Sequence, residues 1–82
     1  MTSVTLYTRG GCCLCDEARE LLIRARTRHD FELAERDIEA DDALLRAYLE
    51  RIPVIAIDGV ERFELVVDEA ELERALGRVE TA

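Results

Sequence analysis

Thr8-Arg9-Gly10-Gly11-Cys12-Cys13-Leu14-Cys15-Asp16-Glu17-Ala18 is the stretch that decides how this chain is read. Cys12 and Cys15 stand in C-x-x-C spacing, one helical turn apart. The run before them, Val4-Thr5-Leu6-Tyr7-Thr8, alternates and is rich in β-formers, which predicts a strand. Arg9-Gly10-Gly11 is a turn, because two glycines permit backbone angles closed to other residues. Beyond the cysteines, Leu14, Ala18, Leu21 and Ala25 recur at helical spacing with Cys15 and Leu22 beside them, predicting a helix from about Cys13 to Arg26. Two thiols at the strand-to-helix junction of a βαβ pattern signal a redox-active dithiol.

The rest of the chain supplies that pattern. Thr27-Arg28-His29-Asp30 is a polar connector, and His29 in it is expected at the surface. Phe31 to Ile38 alternates imperfectly and carries several charges, as a strand at a sheet edge does. Asp41 is positioned to cap a short helix, Ala43 to Glu50, whose apolar stripe is Leu44, Leu45, Tyr48 and Leu49. Ile52-Pro53-Val54-Ile55-Ala56-Ile57 is continuously apolar, as expected of a strand buried on both faces. Asp58-Gly59 between it and Val60-Glu61-Arg62-Phe63-Glu64 is a hairpin signal. Asp68 with Glu71 three residues on resembles a capping box, opening a last helix that buries Leu72, Ala75, Leu76 and Val79. The order is β-α-β-α-β-β-α. Its first β-α-β is expected to be a parallel, right-handed crossover, and its last two strands antiparallel.

The chain's 82 residues make one small domain, 1–82, with no room for a second core. Apolar residues are 49% of it and aromatic residues only 5%, so Leu, Val, Ile and Ala must build the core. The three cysteines fall within four residues. A bridge between Cys12 and Cys15 closes a tiny loop and removes little unfolded-state entropy, so these cysteines read as reactive rather than structural. A net charge of -8, from 19 acidic and 11 basic residues, argues against nucleic acid and anionic membranes as partners. No basic region followed by an apolar core opens the sequence, and no apolar run approaches a membrane span. The expected setting is a reducing cytoplasm, with the chain a monomer.

Taken together, C-x-x-C at the start of the first helix and Arg51-Ile52-Pro53-Val54 about forty residues on resemble the glutaredoxin-like branch of the thioredoxin-fold superfamily. The C-x-L-C-D-E-A form is similar to that of a small glutaredoxin-like subfamily. The resemblance covers essentially the whole chain. It implies an α/β thioredoxin-like fold, a four-stranded mixed sheet flanked by three helices. It also implies dithiol–disulfide exchange on protein disulfides or glutathione-mixed disulfides. No cofactor would be bound. Glutathione would act as co-substrate, or a thioredoxin-reductase-type flavoprotein would act as reductant.

Cys12 precedes the first turn of its helix, where unpaired N–H groups and the positive end of the dipole favour a thiolate, so Cys12 is the expected nucleophile. Cys15, one turn in on the core side, is the expected resolving thiol. Cys13 leaves three readings open: it exchanges roles with Cys12, accepts glutathione, or stands by. Asp16 and Glu17 suit the helix dipole but oppose a thiolate nearby. By resemblance, Arg9 binds a glutathione carboxylate and stabilises the thiolate, a pairing that charge physics supports. Pro53 is expected cis and against the C-x-x-C, leaving the backbone N–H and C=O of Ile52 to pair with an extended substrate. By resemblance, Asp68 stands near the place of the Asp that holds the γ-glutamyl end of glutathione in glutaredoxins, where Gly-Gly usually precedes it. This chain departs from that pattern with Phe63-Glu64-Leu65-Val66-Val67, whose bulk crowds the approach. An alternative use of the same thiols is a metal or iron–sulfur carrier. Zinc takes four ligands and His29 is the only histidine, so that use needs an added carboxylate or a second chain.

Overall fold

The computed structural model describes the backbone of residues 2–81 and the side chains of residues 2–77. Strand β1 (Thr2–Thr8) runs through the middle of a four-stranded sheet ordered β2-β1-β3-β4. It pairs parallel to β2 (Phe31–Asp37) through the helix α1 (Cys13–Ala25). On its other side it pairs antiparallel to β3 (Val54–Ile57), which turns back into β4 (Val60–Glu64). A short helix α2 (Asp42–Tyr48) joins β2 to β3, and α3 (Glu69–Thr81) follows β4.

Period-two alternation sends Val4 and Leu6 of β1 to one face, opposite Ile57 and Ile55 of β3. Ala18, Leu22 and Ala25 of α1, Phe31 of β2, and Leu72 and Leu76 of α3 close over them in one apolar cluster. This is the main core. Val79, expected on the same helix face, lies outside the described side chains. All four residues of β3 are buried, as its unbroken apolar run predicts. β2 lies at the sheet edge and exposes most of its side chains, so its charges meet water.

The other face is covered more thinly. Tyr7, opposite Val54, stacks on Tyr48 of α2 with ring centroids 4.4 Å apart. No residue of α2 is fully buried. The expected stripe on α2 is therefore only half-covered: Leu44, Leu45 and Tyr48 are half-buried, and Leu49 is exposed. In α1 the buried stripe is Cys15, Ala18, Leu22 and Ala25, and Leu14 turns out to solvent.

The local signals hold. Asp58 and Gly59 both take positive φ, 51° and 83°, the geometry of the tight hairpin turn that Asp-Gly favours. The Asp58 carboxylate also accepts the Ser3 N–H at 2.9 Å, pinning the hairpin to β1. Asp41 caps α2 through the Ala43 N–H at 2.8 Å. Several boundaries differ. Ile38 leaves β2 for a single 3-10 turn, Ile38–Ala40, because Asp37 caps it through the Glu39 N–H. β3 begins at Val54, so Ile52 and Pro53 belong to the loop before it. His29 is half-buried rather than at the surface, because it meets Glu73 of α3, which also takes Arg28.

β4 carries a bulge. Ile55 pairs with Phe63 and Ala56 with Glu61, so Arg62 is the extra residue. The slip puts Phe63 against the core while Glu61 and Glu64, three residues apart, share the α2 face.

One buried polar atom stands out. The Thr8 hydroxyl is buried without a hydrogen-bond partner among the described residues. An unsatisfied buried hydroxyl costs about 1–3 kcal/mol. Thr8→Val keeps the shape and removes that cost, so the variant is expected to raise the urea midpoint by a corresponding amount. A lower midpoint with unchanged m-value would contradict this assignment.

Candidate active site

Gly11, at φ 78°, turns the chain out of β1 and into α1. The next residue, Cys12, has extended backbone angles and is the helix N-cap. Its sulfur accepts the backbone N–H of Cys15 at 3.1 Å, taking one of the donors a helix start leaves unpaired. Cys12 and Cys15 are joined by a disulfide with Cα atoms 5.2 Å apart. The two are unequally placed: Cys12 is half-buried and Cys15 is fully buried. Cys13, on the first helical residue, is a free and exposed thiol.

The register of the sheet collects the other candidates. Tyr7 pairs with Val54, so the end of β1 that leads to Cys12 lies beside the start of β3 that follows Pro53. Val54 pairs in turn with Glu64 at the end of β4. The Ile52–Pro53 peptide bond is cis and Pro53 is buried. The Leu65 N–H reaches the Pro53 carbonyl at 3.0 Å and the Arg51 carbonyl at 3.1 Å, which ties the loop after β4 to this segment. Leu65 itself takes a positive φ of 63°, a left-handed backbone usual for glycine. Asp68, three residues on, caps α3 through the Ala70 N–H at 2.9 Å. Thus the Cys12–Cys15 pair, the Ile52–Pro53 loop and the Leu65–Asp68 loop all occupy one end of the sheet.

One expectation changes. The Ile52 N–H is not available to a substrate: it donates to the Tyr48 carbonyl at 3.1 Å. The last turn of α2 leaves carbonyls in need of donors, and Arg51 and Ile52 both supply one to Tyr48. The Ile52 carbonyl takes no donor among the described residues. Arg9, at the end of β1, pairs with Glu39 at 3.5 Å, both side chains being exposed. Asp16 is held by Arg19 at 2.7 Å, and Arg19 also reaches Glu35, so part of the acidic charge beside Cys12 is matched.

The sequence did not point to a cluster beside this end of the sheet. The Arg51 guanidinium meets the carboxylates of both Glu61 and Glu64. It lies 5.2 Å over the Tyr48 ring, whose hydroxyl donates to Glu61 at 2.6 Å. The hydrogen bond from Tyr48, then that from Arg51, holds Glu61 below the usual carboxylate range, and the same bond to Glu61 pushes the Tyr48 phenol up to about 12. A carboxylate with a depressed native pKa adds stability above its unfolded pKa and loses it as pH falls through the native value. Glu73 behaves likewise, held down chiefly by its hydrogen bond from Arg28. Glu61→Gln is therefore expected to flatten the loss of stability on acidification below the usual carboxylate range, measured as urea midpoint against pH. An unchanged acid slope would contradict it.

A family model described as Glutaredoxin-like domain (DUF836) matches residues 3–77. The chain belongs to this glutaredoxin-like family. No curated protein sequence matches it. Among solved structures, the glutaredoxin-like chain is similar to target protein XcR50 from X. campestris, with 33% identity over 96% of this chain and 97% of that one, at a TM-score of 0.73. It is similar to protein Ne2328 from Nitrosomonas europaea, with 27% identity over 92% and 91% of the two chains, at a TM-score of 0.78. A mutant thioredoxin from Halobacterium salinarum shares the fold at 21% identity and a TM-score of 0.72, over 94% of this chain and 73% of that one. Fold and cysteine placement together make this a thioredoxin-like domain with a candidate redox site. Among its described residues, no helix is long and apolar enough to cross a membrane. No group of three or more His, Cys, Asp or Glu among them is placed to hold a metal ion.

Proposed function

We propose that this glutaredoxin-like domain is a dithiol–disulfide oxidoreductase with Cys12 as nucleophile and Cys15 as resolving thiol. The observation that carries the reading is the unequal exposure of the bonded pair. Only Cys12 is within reach of an incoming disulfide, while Cys15 lies fully buried behind it at bonding distance. When reduced, Cys12 keeps a helix N-terminus and the Cys15 N–H beside its sulfur, and both favour the thiolate.

The Cys12 thiolate attacks one sulfur of a substrate disulfide. A Cys12–substrate mixed disulfide forms, and the other substrate sulfur leaves as a thiolate that takes a proton from water. Cys15 then gives up its proton and attacks the Cys12 sulfur. The second substrate thiol leaves and is protonated, and the Cys12–Cys15 disulfide holds the two electrons' worth of oxidation. Two glutathione molecules, or the dithiol of a thioredoxin-reductase-type flavoprotein, return the pair to its reduced form. The substrates are protein disulfides or glutathione-mixed disulfides of a reducing cytoplasm. For glutathione itself, Arg9 would have to exchange Glu39 for the ligand's carboxylate, and Asp68 would have to serve ligand and helix cap together. The exposed Leu65 and Val66 add bulk at the same loop. Protein disulfides are accordingly the better-supported class.

One disulfide substrate assayed with glutathione plus its reductase, and again with thioredoxin reductase plus nicotinamide cofactor, tests the reading. Turnover in either system supports it and names the reductant. No turnover in both, with a stoichiometric metal and a visible spectrum after anaerobic purification, would replace it with the carrier reading.

A further inference from the structure

We infer that Arg51 is a positioning residue that sets the specificity of this site for extended peptide substrates, through a clasp with Glu61 and Glu64 of β4. The inference rests on the redox reading above and deepens it. Arg51 precedes the Ile52–Pro53 segment directly. Its backbone is anchored on both sides: its N–H donates to the Tyr48 carbonyl at 2.8 Å, and its carbonyl accepts the Leu65 N–H at 3.1 Å. Its side chain is anchored a third time. The guanidinium Nε meets Glu64 at 2.6 Å and an Nη meets Glu61, with the Tyr48 ring beneath it. A planar guanidinium presents a fixed fork of donors to the two carboxylates, and a compact ammonium does not reproduce that geometry.

The β4 bulge makes the clasp. In an unbroken strand Glu61 and Glu64 would point to opposite faces. The extra residue, Arg62, brings both to the face where Arg51 lies. Each ion pair is exposed and would add little to stability alone. Its consequence is geometric. With the Ile52 N–H already spent on Tyr48, the Ile52 carbonyl is the main-chain group this segment can offer a substrate strand. Arg51, one residue away, fixes where that carbonyl sits. A small disulfide needs only Cys12 and does not read that position.

The test compares wild type, Arg51→Ala, Arg51→Lys and the Glu61→Gln/Glu64→Gln double variant on two substrates: bis(2-hydroxyethyl) disulfide, and a disulfide-linked dimer of an extended peptide. Arg51→Ala is expected to raise KM for the peptide about tenfold, the loss of about one hydrogen bond's contribution, with kcat/KM for the small disulfide within about twofold of wild type. The double glutamine variant, which keeps Arg51, should reproduce that split. Arg51→Lys should recover only part of it. Equal effects on both substrates, no effect on either, or full recovery by Lys would overturn the proposal. Cys12→Ser serves as control. If it is inert while Arg51→Ala leaves the substrate ratio unchanged, only the role of Arg51 falls. If Cys12→Ser and Cys12→Ser/Cys13→Ser both turn over either substrate normally, the redox reading falls and this inference with it.

Discussion

Cys12→Ser is expected to reduce turnover of any disulfide substrate to the rate of the uncatalysed exchange. Serine fits the N-cap as well as cysteine does, so the fold and the start of α1 should survive the change. What disappears is the sulfur that attacks, since a serine hydroxyl stays protonated where a thiol at a helix start ionises. Cys15→Ser is expected to behave differently. It keeps Cys12 exposed and reactive, lacks the buried thiol that releases the product, and should accumulate a mixed disulfide carrying half of the substrate, visible by intact mass. Comparing the two variants separates attack from resolution. The exposed Cys13 is the neighbour that could take over, so Cys12→Ser should be read beside a Cys12→Ser/Cys13→Ser double variant. Full activity in Cys12→Ser and its loss in the double would move the nucleophile to Cys13. Full activity in both would sink the assignment of this motif.

Leu22→Ala is expected to cost about 2–5 kcal/mol, the range for deleting a fully buried leucine side chain and leaving a cavity. Leu22 has no solvent exposure and lies in the cluster where β1, β2, β3, α1 and α3 meet. A domain of this length holds about 4–12 kcal/mol in total, so this one change removes a large share of it. Leu49→Ala is the control: the side chain is exposed on the thin α2 layer and its loss should shift stability by no more than about 0.5 kcal/mol. Urea titrations of both, with unchanged m-values, check the pair. A Leu22→Ala cost under about 1 kcal/mol would mean that the core is not centred where the cluster places it.

The contrast between these two leucines shows how far the sequence could be read. Leu22 and Leu49 each sit on an apolar stripe at helical spacing, and the spacing alone assigns both to a buried face. Their fates differ because α1 packs together with α3 over one face of the sheet, while α2 meets the opposite face mainly through Tyr48 on Tyr7. The same limit applies within the site. C-x-x-C after a strand, the turn glycines and the Ile-Pro-Val run were legible as local patterns. That the Ile52 N–H is taken by Tyr48 was not, because helix-end carbonyls find whichever donor the following loop brings near. His29 looked like a surface residue from its polar neighbours, yet Glu73 stands next to it from the far end of the chain.

By itself the sequence determined the element order, the β3 run buried on both faces, the hairpin at Asp58-Gly59, the caps at Asp41 and Asp68, and the placement of Cys12 at a helix start. Each of these depends on residues within a turn or two of one another, where spacing, φ preference and capping act directly. Only the tertiary structure decided which side of α2 stays wet and what holds the Ile52–Pro53 loop. The clasp on Arg51 is the clearest case. Glu61 and Glu64 sit three apart, a spacing that alternation assigns to opposite faces. One extra residue in β4 reverses that assignment, and the pairing of β4 with β3 is what sets where the extra residue falls.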